Sequence, residues 1–180
     1  MTGRQVALLR GINVGRAKRV AMADLRAVVE GLGYRDVRTL LNSGNVTFTV
    51  PGTDRADAAP RIEAAITKRL GVLTRVTVLT AAELAAAIDE NPLLAVATNP
   101  SRLLVTVLTV PADRSRLAPL ARQDWAPEAL AIGRRVAYLW TPEGILVSQL
   151  AAAVNRVLGD AATSRNWATM LKLRALADQR

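Results

Sequence analysis

The stretch Asp36-Val-Arg-Thr-Leu-Leu-Asn-Ser-Gly-Asn-Val-Thr-Phe-Thr-Val50 reads as two strands joined by a tight turn. Asp36 to Leu41 predicts one strand, and Asn42-Ser-Gly-Asn45 supplies the Gly and Asn residues that accept positive φ in a short connection. Val46, Phe48 and Val50 then alternate with Thr47 and Thr49, the period-two pattern of a half-buried strand. Upstream, Val6 to Arg10 is a short apolar strand running into Gly11-Ile-Asn-Val-Gly15. Met22 to Leu32 follows as a helix with Met22, Leu25, Val28, Val29 and Leu32 on one stripe, and Gly33 stands where a glycine stops a helix. Downstream, Pro51 to Asp57 is a polar loop, Ile62, Ile66 and Leu70 form a helical stripe closed by Gly71, and Val72 to Leu79 predicts a fourth strand. The order is β-α-β-β-α-β, a ferredoxin-like split βαβ unit with two helices on one face of an antiparallel sheet.

The rest of the chain repeats that theme. Thr80-Ala-Ala-Glu83 is a capping box opening a short helix that ends near Asn91-Pro92, and residues 91–101 read as a linker. Leu103 to Val110 predicts a strand, Asp113 to Arg122 a helix, Ala129 to Ile132 and Val136 to Trp140 two strands, and Val147 to Leu158 a helix. A last helix is expected over Ser164 to Ala177. The expected fold is therefore α+β: a ferredoxin-like first subdomain over 1–80, a connecting helix and linker over 81–101, and a second, related α+β half with a C-terminal helix over 102–180. The second half shows the same order without its last strand.

Composition bounds the chemistry. The 180 residues contain no cysteine and no histidine. Disulfides, thiolate catalysis, Ser-His-Asp and Cys-His arrangements and the usual zinc sites are all excluded. No acidic residues share a paired-carboxylate or metal-ligand spacing, so the sequence names no catalytic residue, no metal and no particular cofactor. No apolar run approaches the roughly 18 residues a membrane span needs, and the first residues go straight into a strand without a signal-peptide pattern, so a cytoplasmic protein with no membrane partner is expected. The net charge of +9 rests on 21 Arg and 3 Lys, and residues 1–20 carry five bases and no acid. A basic face attracts phosphates or nucleic acid, although arginines favoured by composition and left in solvent explain the same count. Six aromatic residues in all disfavour a sheet that stacks bases.

Three segments stand out as candidate sites. In the first loop, Gly11 and Gly15 free backbone amides to face outward shortly before a helix start, and Arg10, Arg16, Lys18 and Arg19 add charge for an anion, with Asn13 as a directional partner. The pattern is neither a Walker A loop nor Gly-x-Gly-x-x-Gly. In the predicted topology the turn with Ser43, Gly44 and Asn45 lies at the same sheet end, so both segments are expected to border one pocket, with Ser43 and Asn45 facing Asn13. The third segment is Thr163-Ser-Arg165-Asn166-Trp167, where Thr163 caps the last helix, Arg165 and Asn166 occupy its first turn, and Trp167 pairs with Leu171. Each has a plainer reading: a turn, a hairpin, and a docked terminal helix.

Ala7-Leu-Leu-Arg-Gly-Ile-Asn-Val-Gly15, Met22-Ala-Asp-Leu25, Gly33-Tyr-Arg-Asp-Val-Arg-Thr39, Asn42-Ser-Gly-Asn45 and Thr163-Ser-Arg-Asn-Trp167 together resemble the bacterial domain of unknown function 1697 family. The resemblance implies a two-part α+β fold and no activity. It carries the family's characteristic residues onto Arg10, Gly11, Asn13, Gly15, Met22, Ser43, Gly44, Asn45, Arg165, Asn166 and Trp167. Arg16 stands where the family usually has a second glycine, and Ala21 where it commonly has proline, so a double-glycine cradle is not expected here. The leading expectation is a binding protein for a small anionic, nucleotide or phosphate-bearing ligand, using Arg10, Gly11, Asn13, Gly15, Lys18, Ser43, Gly44, Asn45, Arg165 and Asn166. The alternatives are weak, sequence-independent nucleic-acid binding through the basic surface, and an enzyme acting on a phosphate ester without His or Cys.

Overall fold

A computed structural model of the chain describes residues 3–52 and 58–179. It divides into two compact units, Met1–Leu84 with Leu173–Arg180, and Ala85–Lys172.

The first unit runs β1 (Gly3–Leu9), α1 (Met22–Glu30), β2 (Arg35–Leu40), β3 (Asn45–Val50), α2 (Ala58–Leu70) and β4 (Val76–Thr80), followed by α3 (Ala81–Asp89), whose residues from Ala85 on belong to the second unit. The strands form one antiparallel sheet in the order β2-β3-β1-β4. Leu25, Val28 and Val29 of α1 and Ile62 and Ile66 of α2 pack with Ala7, Leu9, Val46, Phe48 and Val76 of the sheet. That stripe is the one expected from the helical period. Tyr34 stacks on Phe48 with ring centroids 4.8 Å apart, and Arg61 lies over the Tyr34 ring. The capping box forms: Thr80 Oγ1 accepts from Glu83 N at 3.1 Å, and Glu83 Oε2 accepts from Thr80 N at 2.8 Å.

Several boundaries moved: β1 runs Gly3–Leu9 rather than from Val6 to Arg10, and β2 Arg35–Leu40 rather than from Asp36 to Leu41. The fourth strand begins at Val76 rather than Val72, because its partner β1 ends at Leu9, which pairs with Val76 and leaves 72–75 without a ladder. The first helix stops at Glu30 with Gly31 as its C-cap, and Gly33, with φ of 85°, makes the turn after it. Of the polar loop expected over 51–57, residues 53–57 lie outside the described residues.

The second unit runs β5 (Leu103–Leu108), a 3-10 turn (Pro111–Leu117), α4 (Ala118–Ala121), β6 (Ala129–Ile132), β7 (Val136–Trp140), α5 (Gln149–Leu158) and β8 (Ala162–Asn166), then the start of α6 (Trp167–Asp178), whose residues from Leu173 on belong to the first unit. Its sheet is antiparallel in the order β6-β7-β5-β8, the same arrangement as the first. The likeness reaches single hydrogen bonds. Leu9 N donates to Gly44 O and Arg10 N to Arg75 O, at 2.8 and 2.9 Å; Leu108 N donates to Arg135 O and Thr109 N to Ala161 O, at 2.9 and 2.8 Å.

The missing last strand is therefore present. Ala162–Asn166 is β8, not the start of the terminal helix, which begins at Trp167. The expected helix over 113–122 is a 3-10 turn and one α-turn, since Pro119 lacks the N–H that an α-helix continuing from Asp113 would need there. Leu171 is exposed, so the expected Trp167–Leu171 pair is not the buried stripe of α6; Trp167, Met170, Leu173 and Ala177 are buried instead.

Candidate functional site

The loop after β1 is held by one side chain. Asn13 Nδ2 donates to Val20 O at 2.8 Å and to Asn42 O at 2.7 Å, Asn13 Oδ1 accepts from Val20 N at 2.9 Å, and Asn13 N donates to Lys18 O at 3.0 Å. The chain from Arg10 to Val20 is thus closed on itself and tied to the β2–β3 turn. The expectation that these two segments meet rested on topology, and the bond from Asn13 to Asn42 brings them together.

Four left-handed residues allow this closure. Gly11, Asn13, Gly15 and Lys18 have φ of 64°, 54°, 62° and 51°. A Cβ at Gly11 or Gly15 would meet nothing within 4 Å, so their requirement is conformational. Gly44 differs: its φ is 80°, and a Cβ there would lie 2.7 Å from Leu9 Cβ and 2.8 Å from Ile12 Cδ1. The turn therefore sits directly on the end of β1. Asn45 does not face Asn13 as expected: it is fully buried, its Nδ2 donating to Leu40 O and Ser43 Oγ, both at 2.9 Å, which closes the turn, and the contact with Asn13 is made by Asn42 O.

A third loop joins the first two. Arg10 N donates to Arg75 O at 2.9 Å, and Thr74 Oγ1 donates to Arg10 O at 2.8 Å. Arg75 also lies 3.7 Å from Glu63, whose other oxygen accepts from Val76 N at 2.8 Å. Arg16, Lys18 and Arg19 are exposed, and Arg10 is half-buried. Helix α1 starts from Ala21 with no side-chain cap, and its first turn holds Asp24.

Arg165 and Asn166 lie in the second unit. Arg165 is buried on β8; its Nη1 donates to Thr163 Oγ1 at 3.1 Å and to Ser164 O at 2.9 Å. Burial lowers its guanidinium to about 10, because the charged form loses hydration. Asn166, not Thr163, caps α6: its Oδ1 accepts from Thr169 N at 2.9 Å. On the same sheet face, the buried Tyr138 hydroxyl donates to Ala87 O at 2.9 Å and is pushed up to about 12, by burial first and by the charge of Glu90 second. Sequence reasoning passed over Thr74 and Arg75. The signal was weak, since it required knowing that β4 starts only at Val76. No group of acidic side chains among the described residues could hold a metal ion.

No curated protein matches the chain. It is similar to the solved structure of a conserved bacterial protein from Streptococcus pneumoniae, with 22% sequence identity and a TM-score of 0.81 over 99% of this chain and 100% of that one. At that identity the likeness speaks for the fold alone. A family model described as a protein of unknown function, DUF1697, matches residues 1–138, a span that takes in all three joined loops and leaves the Thr163–Trp167 segment outside. The chain belongs to the DUF1697 family.

Proposed function

We propose that the chain binds a small anionic, phosphate-bearing ligand at the end of the first sheet, where the 10–20 loop meets the 41–45 turn. The observation that carries this reading is the Asn13 clamp. Its hydrogen bonds fix a loop that presents Arg16, Lys18 and Arg19 to solvent within four residues. A loop already fixed loses little entropy when an anion arrives, so more of the contact energy appears as affinity. The uncapped start of α1 adds amides without an internal side-chain partner, an attraction that Asp24 in the same turn reduces. Asn13 itself is occupied in holding the loop, so the basic side chains rather than its carboxamide make the ligand contacts. Arg165 and Asn166 stay outside the proposal: one is buried and the other caps a helix.

Thermal melting with added nucleotides tests the reading. A ligand that binds only the folded state raises the melting temperature as its concentration passes the dissociation constant. The native protein is expected to shift, and Arg16→Gln/Lys18→Gln/Arg19→Gln to lose that shift. No shift in the native protein, or an equal shift in the variant, removes the proposal.

A further inference from the structure

The same end of the first sheet carries three exposed aliphatic side chains, one on each of the joined loops: Val14 at 71% exposure, Leu41 at 51% and Leu73 at 74%. Single exposed aliphatics are ordinary. These three are different because their loops are hydrogen-bonded to one another, through Asn13 to Asn42 and through Arg10 to Arg75 and Thr74. They also stand among the bases Arg16, Lys18, Arg19 and Arg75.

Leu41 has φ of 56° and Lys18 φ of 51°. A left-handed backbone disfavours any residue with a Cβ, and glycine or asparagine fills such positions at Gly11, Asn13, Gly15 and Gly44. Leu41 and Lys18 therefore keep a strained conformation while showing an apolar and a basic side chain to solvent. Neither side chain contributes to the core of this unit. Strain held at exposed, chemically useful side chains points to a surface that something meets.

We propose that this three-loop end docks on an anionic phospholipid surface, with Val14, Leu41 and Leu73 entering the headgroup boundary and the bases meeting lipid phosphates. Charge complementarity selects this occupant. Arg75 and Glu63 pair with each other, which leaves the exposed Arg16, Lys18 and Arg19 against Asp24 alone. Anionic leaflets attract such basic clusters, and aliphatic side chains add affinity that a nucleic-acid backbone cannot return. No helix among the described residues is long and apolar enough to cross a membrane, so the contact is peripheral. The inference rests on the anion-binding reading of the same loops and names the source of the phosphate as a lipid headgroup.

Cosedimentation with vesicles tests it, using phosphatidylglycerol mixed with phosphatidylethanolamine against phosphatidylcholine alone. The native protein should pellet with the anionic vesicles and stay in solution with the zwitterionic ones. Val14→Ser/Leu41→Asn/Leu73→Ser should lose about tenfold or more in partitioning, and each base removed about fivefold. The apolar variant should melt no lower than the native protein, since Leu41→Asn relieves a left-handed leucine, and it should keep the native melting shift with free pyrophosphate. Failure to pellet, or equal pelleting of the apolar variant, overturns the lipid inference. A pyrophosphate shift without vesicle binding leaves the anion reading standing alone, and the absence of both removes both. Retention on a single-stranded oligonucleotide without any on vesicles also overturns it, in favour of nucleic acid.

Discussion

At Asn13 one carboxamide makes three hydrogen bonds, and a backbone at φ of 54° brings its N–H to Lys18 O as a fourth. Asparagine suits that position because it tolerates the left-handed region and offers both a donor and an acceptor. Gly44 shows the other way in which a residue shapes this end. Adding a methyl group there combines a left-handed penalty of about 1–2 kcal/mol with an overlap against Leu9 and Ile12 that costs a further 1–3 kcal/mol or so. Gly44→Ala should therefore destabilise by about 3 kcal/mol in urea unfolding, whereas Gly11→Ala, with open space around its Cβ, should cost about 1 kcal/mol. Equal costs would show that packing of the turn on β1 contributes nothing.

At the scale of elements, the eighth strand is the instructive case. Ala162-Thr-Ser-Arg-Asn166 has no apolar alternation, yet it pairs with β5 over five residues. Its polar side chains are satisfied inside the fold, with Ser164 Oγ 2.8 Å from Thr106 Oγ1 and Arg165 bonded to Thr163 and Ser164. A strand stabilised by hydrogen bonds between polar groups leaves no period for a reader of the sequence to find, and the Ser and Thr residues resemble helix caps. The stripes of α1 and α2 were legible from their helical apolar period, β6 and β7 from short unbroken apolar runs, and β3 from the alternation of Val46, Phe48 and Val50, although Thr47 is buried too and the strand is not half-buried as its pattern suggested. Of the site, the meeting of the first loop with the turn followed from β-α-β-β-α-β order alone. The clamp by Asn13 and the contribution of Thr74 and Arg75 did not, because hydrogen bonds between loops leave no periodic trace. Asn166→Ala should cost about 1 kcal/mol, as the loss of an N-cap does, and should speed amide exchange at Thr169 and its neighbours in the first turn of α6. Unchanged exchange there would show that the Asn166 cap contributes nothing to the start of α6.

Over the whole molecule, two units share one sheet order and matching loop-anchoring hydrogen bonds, yet their corresponding loops differ in chemistry. After β1 the chain presents Arg10, Arg16, Lys18 and Arg19 on a clamped loop; after β5 it presents Val110 and Pro111 and enters a 3-10 turn. The architecture is common to both halves, and the basic clamped loop belongs to the first alone. Net charge of +9 attracts phosphate anywhere on the surface, so site-specific binding must be distinguished from attraction spread over many arginines. A titration of the 15N-labelled protein with pyrophosphate, followed amide by amide, makes that distinction most directly. Saturable shifts confined to residues 10–20, 41–45 and 73–75, and lost in Arg16→Gln/Lys18→Gln/Arg19→Gln, are the predicted result. Shifts scattered over both units without saturation, or none at those three loops, would contradict it.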